Sequence, residues 1–220
     1  MGTHASFQIA VDGPAGAGKG TLAKYLAEYY SFAYLDTGLL YRAVAYEMLQ
    51  EGYDLSNETA ADQIASRLNP AGFKESRLRD EAVGGAASFI SAYPAVRAAL
   101  LEFQRRYAQH PPQGQAGAVL DGRDIGTVIL PEAQAKIFVT ADLEIRAKRR
   151  FREMTERGIE TTYEAMFHDM KARDERDQDR IQVASGAVVL DTSTLSIEET
   201  FLRAKEFVDE RLKTYYNSSL

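Results

Sequence analysis

Residues 7–30 read FQIAVDGPAGAGKGTLAKYLAEYY, and this stretch decides the fold. Phe7 to Asp12 is a short run of β-favouring residues that breaks off at a glycine. From Thr21 to Tyr30, Leu22, Leu26 and Tyr29 or Tyr30 recur at helical spacing. Between them, Gly13-Pro14-Ala15-Gly16-Ala17-Gly18-Lys19-Gly20-Thr21 satisfies the G-x-x-x-x-G-K pattern of a phosphate-binding loop. An ordinary glycine turn could carry the same letters; the strand before it and the helix after it argue for the phosphate reading. In that setting backbone N–H groups curl around a polyphosphate, the helix N-terminus adds its positive dipole end, and the Lys19 ammonium reaches the β and γ phosphates. Thr21 is expected to cap the helix and touch phosphate. Gly20 stands where most such loops place the Ser or Thr that ligates Mg²⁺. A metal accompanying ATP is therefore expected to be held mainly by phosphates and water, with no protein ligand.

Working outward, Ala33 to Leu35 is a second short apolar run, Leu39 to Gln50 reads as a helix closed by Gly52, and the βαβ order predicts a parallel sheet. Asn57 to about Leu68 is helical and stops at Asn69-Pro70, while Ala71 to Gly85 shows no clean period. Residues of about 60–92 are expected to form an insertion. Pro94 to Gln109 is helical, with proline suited to a first turn, and HPPQGQAG is a breaker-rich loop. Strands are expected at Ala118–Asp121, Lys136–Thr140 and Ala187–Leu190. Two charged helices span Asp142 to Gly158, with Asp142 as N-cap, and Thr162 to Arg180; Ser196 to Tyr215 is amphipathic.

The whole chain, 220 residues, fits one domain of α/β size. A net charge of -6 argues against wrapping nucleic acid by charge alone. Cysteine is absent, which excludes disulfides, thiolate zinc sites and a cysteine nucleophile, and His4, His110 and His168 lie too far apart to share a metal. No run approaches the roughly 18 apolar residues that span a bilayer. A cytoplasmic monomer with no membrane or nucleic-acid partner is expected.

Four segments carry a resemblance. GKGT (18–21) is the form seen in nucleoside monophosphate kinases, and LDTGLLYR (35–42), DGRDIGT (121–127) and RDERDQDR (173–180) resemble the bacterial cytidylate kinases over nearly the whole length. Adenylate kinases share the loop but usually show Asp-Gly-aromatic-Pro-Arg where this chain has Asp121-Gly122-Arg123-Asp124, and no Asn-Lys-x-Asp guanine-reading motif is present. The resemblance implies an α/β P-loop kinase, with a parallel core sheet flanked by helices, an acceptor-binding insertion near 60–92 and a helical lid near 146–175. It implies transfer from Mg-ATP to CMP or dCMP.

By that resemblance Arg42, Arg123 and Arg180 clamp the acceptor's α-phosphate, whose own oxygen is the nucleophile, so no general base is needed. Arginine suits this because its planar fork binds phosphate in bidentate fashion and stays charged. Cytosine offers an N4 amine beside N3 and O2 acceptors; Asp124 is expected on the amine and Arg97 on the acceptors, with Ser88 and Thr37 beside them. Uracil would turn its O4 towards Asp124 and be repelled. Arg173 and Asp177 are expected on the sugar, and helical spacing puts Arg173, Asp177 and Arg180 on one face, leaving Asp174, Glu175, Arg176 and Asp179 for the outer face. Arg146, Arg149 and Arg150 are expected to close over the ATP phosphates, with Arg150 the nucleotide contact. Asp191 ends a core strand and is no metal ligand. Two departures from the family stand out: Ile181–Ala187 is short, and Gly84-Gly85 replaces more familiar polar residues and is expected to loosen a loop before Ser88. Outside catalysis, the rival is a nucleotide-binding switch that releases ATP unchanged, although a switch needs no second phosphate site.

Overall fold

The computed structural model describes residues 6–69 and 74–217. Pro70 of the expected break, the first residues of the aperiodic segment (71–73) and His4 lie outside the described residues. The chain divides into two compact units, one of residues 1–35 and 108–220, the other of residues 36–107.

The first unit is built on five strands, β1 (Phe7–Asp12), β2 (Ala33–Asp36), β3 (Gly117–Gly122), β4 (Ala135–Thr140) and β5 (Val188–Asp191), in the order β2-β3-β1-β4-β5. β1 pairs in parallel with β3 and with β4, and β4 in parallel with β5. Helices α1 (Lys19–Tyr30), α7 (Leu143–Glu156), α8 (Tyr163–Asp177) and α9 (Ile197–Asn217) belong to this unit. A strand covered on both faces must be apolar on both. β1 meets that demand: Phe7, Ile9, Ala10 and Val11 are fully buried, and Ile9 and Val11 join Leu22 and Leu26 of α1 and Ala204 and Val208 of α9 in one core. β1 leads through α1 towards β2 on one side, whereas β4 leads to β5 on the other. Connections diverging from adjacent parallel strands open a crevice at their carboxyl ends, and the glycine loop sits there.

The second unit is helical: α2 (Thr37–Gln50), α3 (Glu58–Arg67), α4 (Glu75–Leu78), α5 (Glu81–Ile90) and most of α6 (Pro94–Gln109). α2 packs on α3 and α5, burying Val44, Met48, Ile64 and Ile90. The unit takes in the 60–92 segment and extends beyond it on both sides.

Three local expectations need correction. Gly84 and Gly85 lie inside α5, not in a loop. Asp80 caps that helix by accepting from the Ala82 N–H at 2.9 Å, and Val83, Ala86, Ala87 and Ile90 bury one face, which outweighs the roughly 1 kcal/mol that each glycine costs a helix. Thr21 does not cap α1; the helix already begins at Lys19, and its cap is Gly18, whose left-handed φ of 91° turns the loop into the helix without a side-chain bond. Helix α8 ends at Asp177 and leaves Arg180 in the following turn. Asp142 does occupy the cap position of α7, but its side chain makes no capping bond.

Candidate active site

The site begins at the end of β1. An added Cβ on Gly13 would lie 1.9 Å from the Val139 carbonyl oxygen, so the loop leaves β1 pressed against β4, with φ at 147°. Two of its carbonyls are then pinned. Arg146 Nη1 donates to the Ala15 carbonyl at 3.1 Å, and the Thr192 hydroxyl donates to the Ala17 carbonyl at 2.9 Å. In a planar trans peptide the next N–H points the opposite way, so these bonds also orient the N–H groups of Gly16 and Gly18. Lys19 opens α1 directly after them.

Arg146 is buried, and its guanidinium is used inward: Nε donates to the Ala141 carbonyl at 2.8 Å, while Nη1 and Nη2 meet the two oxygens of Asp174 at 3.1 and 2.6 Å. Asp174 therefore faces α7, not the outer face expected of it, because a buried fork needs its counter-charge. Arg149 donates to the hydroxyl and carbonyl of Thr192 at 3.0 and 2.5 Å, which steadies the hydroxyl that holds Ala17. Arg150 pairs with Glu153 at 2.9 Å.

β1 and β3 end in register, Asp12 opposite Gly122, so the glycine loop and the turn carrying Arg123 and Asp124 leave neighbouring strands side by side. Asp12 ties that turn down. Its two buried carboxylate oxygens accept from the N–H groups of Ile125 and Gly126, both at 2.7 Å, at the start of a short π-helical turn, Ile125–Ile129. Burial, more than any other influence, pushes Asp12 up to about 6; the negative charge of Asp124 adds to the rise, and the two N–H groups and Lys19 oppose it. No composition or motif marks Asp12, since its role depends on a turn more than a hundred residues away.

Arg123 and Arg180 converge on one carboxylate. Arg123 Nε donates to Asp177 Oδ2 at 3.1 Å, and Arg180 Nη2 to Asp177 Oδ1, with the Asp177 side chain only 9% exposed. Two guanidinium groups thus share one carboxylate. Arg173 lies half-buried on α8, and Asp124 is buried at the turn. In the helical unit, Thr37 is buried at the first turn of α2, Arg42 lies half-buried further along it, and Ser88 and Arg97 sit half-buried on α5 and α6. Arg42 Nη1 donates to the carbonyls of Leu78 at 2.9 Å and Asp80 at 3.3 Å.

A parallel sheet with a glycine loop and lysine at its switch point, and Arg123 at the end of the adjoining strand, defines a P-loop kinase. The described residues hold no cluster of three or more His, Cys, Asp or Glu suited to caging a metal. Residues 9–210 match the family model of cytidylate kinase, and the chain belongs to that family of nucleoside monophosphate kinases. Cytidylate kinase of Rhodopseudomonas palustris is 52% identical over 205 residues, covering 91% of this chain and 95% of the relative. Cytidylate kinase of Rhizobium meliloti is 47% identical over 212 residues, covering 94% and 98%. Among solved structures, shikimate kinase from Bacteroides thetaiotaomicron shares the fold at a TM-score of 0.50 and 11% identity, covering 94% of this chain and 98% of its own.

Proposed function

We propose that this kinase moves the γ-phosphoryl group of Mg-ATP onto an α-phosphate oxygen of CMP or dCMP, giving ADP and CDP or dCDP. The observation that carries the reading is the register of β1 and β3, which starts the donor loop and the Arg123-Asp124 turn from adjacent strand ends. Neighbouring strands lie about 4.8 Å apart, a spacing suited to two phosphate sites whose reacting oxygens must be in line.

Each residue then has a task. The loop Gly13–Thr21, through its backbone N–H groups except at Pro14, and Lys19 hold the donor phosphates, with Arg150 assigned to the same nucleotide. Arg42, Arg123 and Arg180 neutralise the acceptor phosphate; Asp177, already holding two of them, accepts from a ribose hydroxyl beside Arg173. Asp124, Arg97, Ser88 and Thr37 read cytosine. Mg²⁺, when bound with ATP, would screen the phosphate charge. Gly20 offers it no hydroxyl, and Oδ2 of Asp121 beside the loop already accepts from the Tyr34 hydroxyl at 3.0 Å, so the ion would be held mainly by phosphates and water. We assign it as a cytoplasmic monomer without membrane or nucleic-acid partners.

The test is ADP formation from Mg-ATP with CMP, dCMP, UMP, AMP and GMP in turn. CMP and dCMP are expected to drive turnover well above the others, with Lys19→Ala lowering kcat about a hundredfold or more. Asp124→Ala is expected to narrow the gap between CMP and UMP. Preference for AMP or GMP would overturn the base-reading assignment.

A further inference from the structure

The helical unit holds a glycine whose placement is specific. Gly84 is buried in the middle of α5, where a helix of this sequence gains nothing from glycine. An added Cβ would lie 2.9 Å from Nη2, 3.0 Å from Nη1 and 3.2 Å from Cζ of Arg42. The whole guanidinium plane therefore rests on the space that the missing side chain leaves. In that position Arg42 Nη1 reaches the Leu78 and Asp80 carbonyls just before α5. Gly85, the next residue, is exposed, and an added Cβ there would meet nothing within 4 Å. The two glycines thus differ in just the property that matters.

We propose that Gly84 is a positioning residue for the acceptor phosphate: by omitting a Cβ it sets the guanidinium of Arg42 against α5. The inference rests on the reading of Arg42 as a phosphate-binding residue. A methyl group at position 84 meets the far end of a flexible side chain, not backbone, so the helix survives and the guanidinium gives way. Ser88 follows Gly84 by one helical turn and shares its face, so the displacement occurs beside another residue assigned to the acceptor.

The experiment compares Gly84→Ala, Gly85→Ala, Arg42→Ala and the Arg42→Ala/Gly84→Ala double variant by steady-state kinetics with CMP, with thermal melts to confirm folding. Gly84→Ala is expected to raise KM for CMP about tenfold, the loss of one charge-assisted phosphate bond, while KM for ATP stays within twofold. Gly85→Ala is expected to leave both KM values unchanged. In the Arg42→Ala background, Gly84→Ala is expected to add no further rise in KM, and Tm is expected to increase by about 2–4 °C because only the helix-propensity gain of alanine remains. That increase reads the same contact should Gly84→Ala alone fold poorly. An unchanged KM in Gly84→Ala, an equal rise in Gly85→Ala, or additive effects with Arg42→Ala would overturn the inference while leaving Arg42 as a phosphate ligand. An unchanged KM for CMP in Arg42→Ala itself would instead remove the phosphate reading on which it rests.

Discussion

Asp12 and Asp174 show what single carboxylates do here. Asp12 is protonated more readily in the folded chain, at about 6, than at its ordinary 3.8. The folded state therefore binds more protons between these values, so the contribution of Asp12 to stability is full below 3.8 and is lost as pH rises through about 6. The loss amounts to about 3 kcal/mol. Unfolding free energies of the wild type and Asp12→Asn, compared across this interval, are expected to show the wild type losing that advantage as pH rises; a constant difference would refute the assignment. Asp174 neutralises a buried guanidinium, so Asp174→Ala is expected to destabilise by about 3 kcal/mol in urea unfolding and to raise KM for ATP by loosening the Arg146 fork that holds the Ala15 carbonyl. Neither role was legible in sequence. Helical spacing placed Asp174 outside because it counted positions on one helix, whereas the neighbour that claims it, Arg146, lies on another.

At the scale of elements, what local chemistry dictates was read correctly and what a partner dictates was not. The strand, loop and helix of residues 7–30 were legible because apolar runs, glycines and helical periodicity all act within a few residues. The end of α8 at Asp177 was not, because the charged residues of RDERDQDR suit a continued helix and the turn after it is fixed by Arg180 reaching back to Asp177. Nor was α5, whose two glycines suggest a loop until the buried face of Val83, Ala86, Ala87 and Ile90 is seen. The loop itself yields a sharp expectation. Gly13→Ala forces a Cβ into the Val139 carbonyl on a backbone at positive φ, so it is expected to cost about 3 kcal/mol or more and to abolish ATP binding, read by urea unfolding and by calorimetric titration with ATP. Wild-type stability in that variant would refute the packing of loop against β4.

For the molecule as a whole, an acidic chain of net charge -6 nevertheless sets Lys19 beside Asp12 at the end of β1 and ties Arg123, at the end of the neighbouring β3, to Arg180 through Asp177. Total charge thus argued against one class of partner while saying nothing about the site, and family resemblance supplied the residue roles that periodicity could not. The sheet order and the division into residues 36–107 and the remainder depend on long-range packing that a single sequence leaves open. The role proposed for the arginines is transfer to a second phosphate, not mere nucleotide holding. The most direct measurement is ³¹P NMR of the protein mixed with Mg-ATP and CMP. ADP and CDP resonances are predicted to grow one for one as ATP and CMP disappear, with no inorganic phosphate. ATP that remains intact, or ADP formed with inorganic phosphate and no CDP, would rule out transfer to CMP.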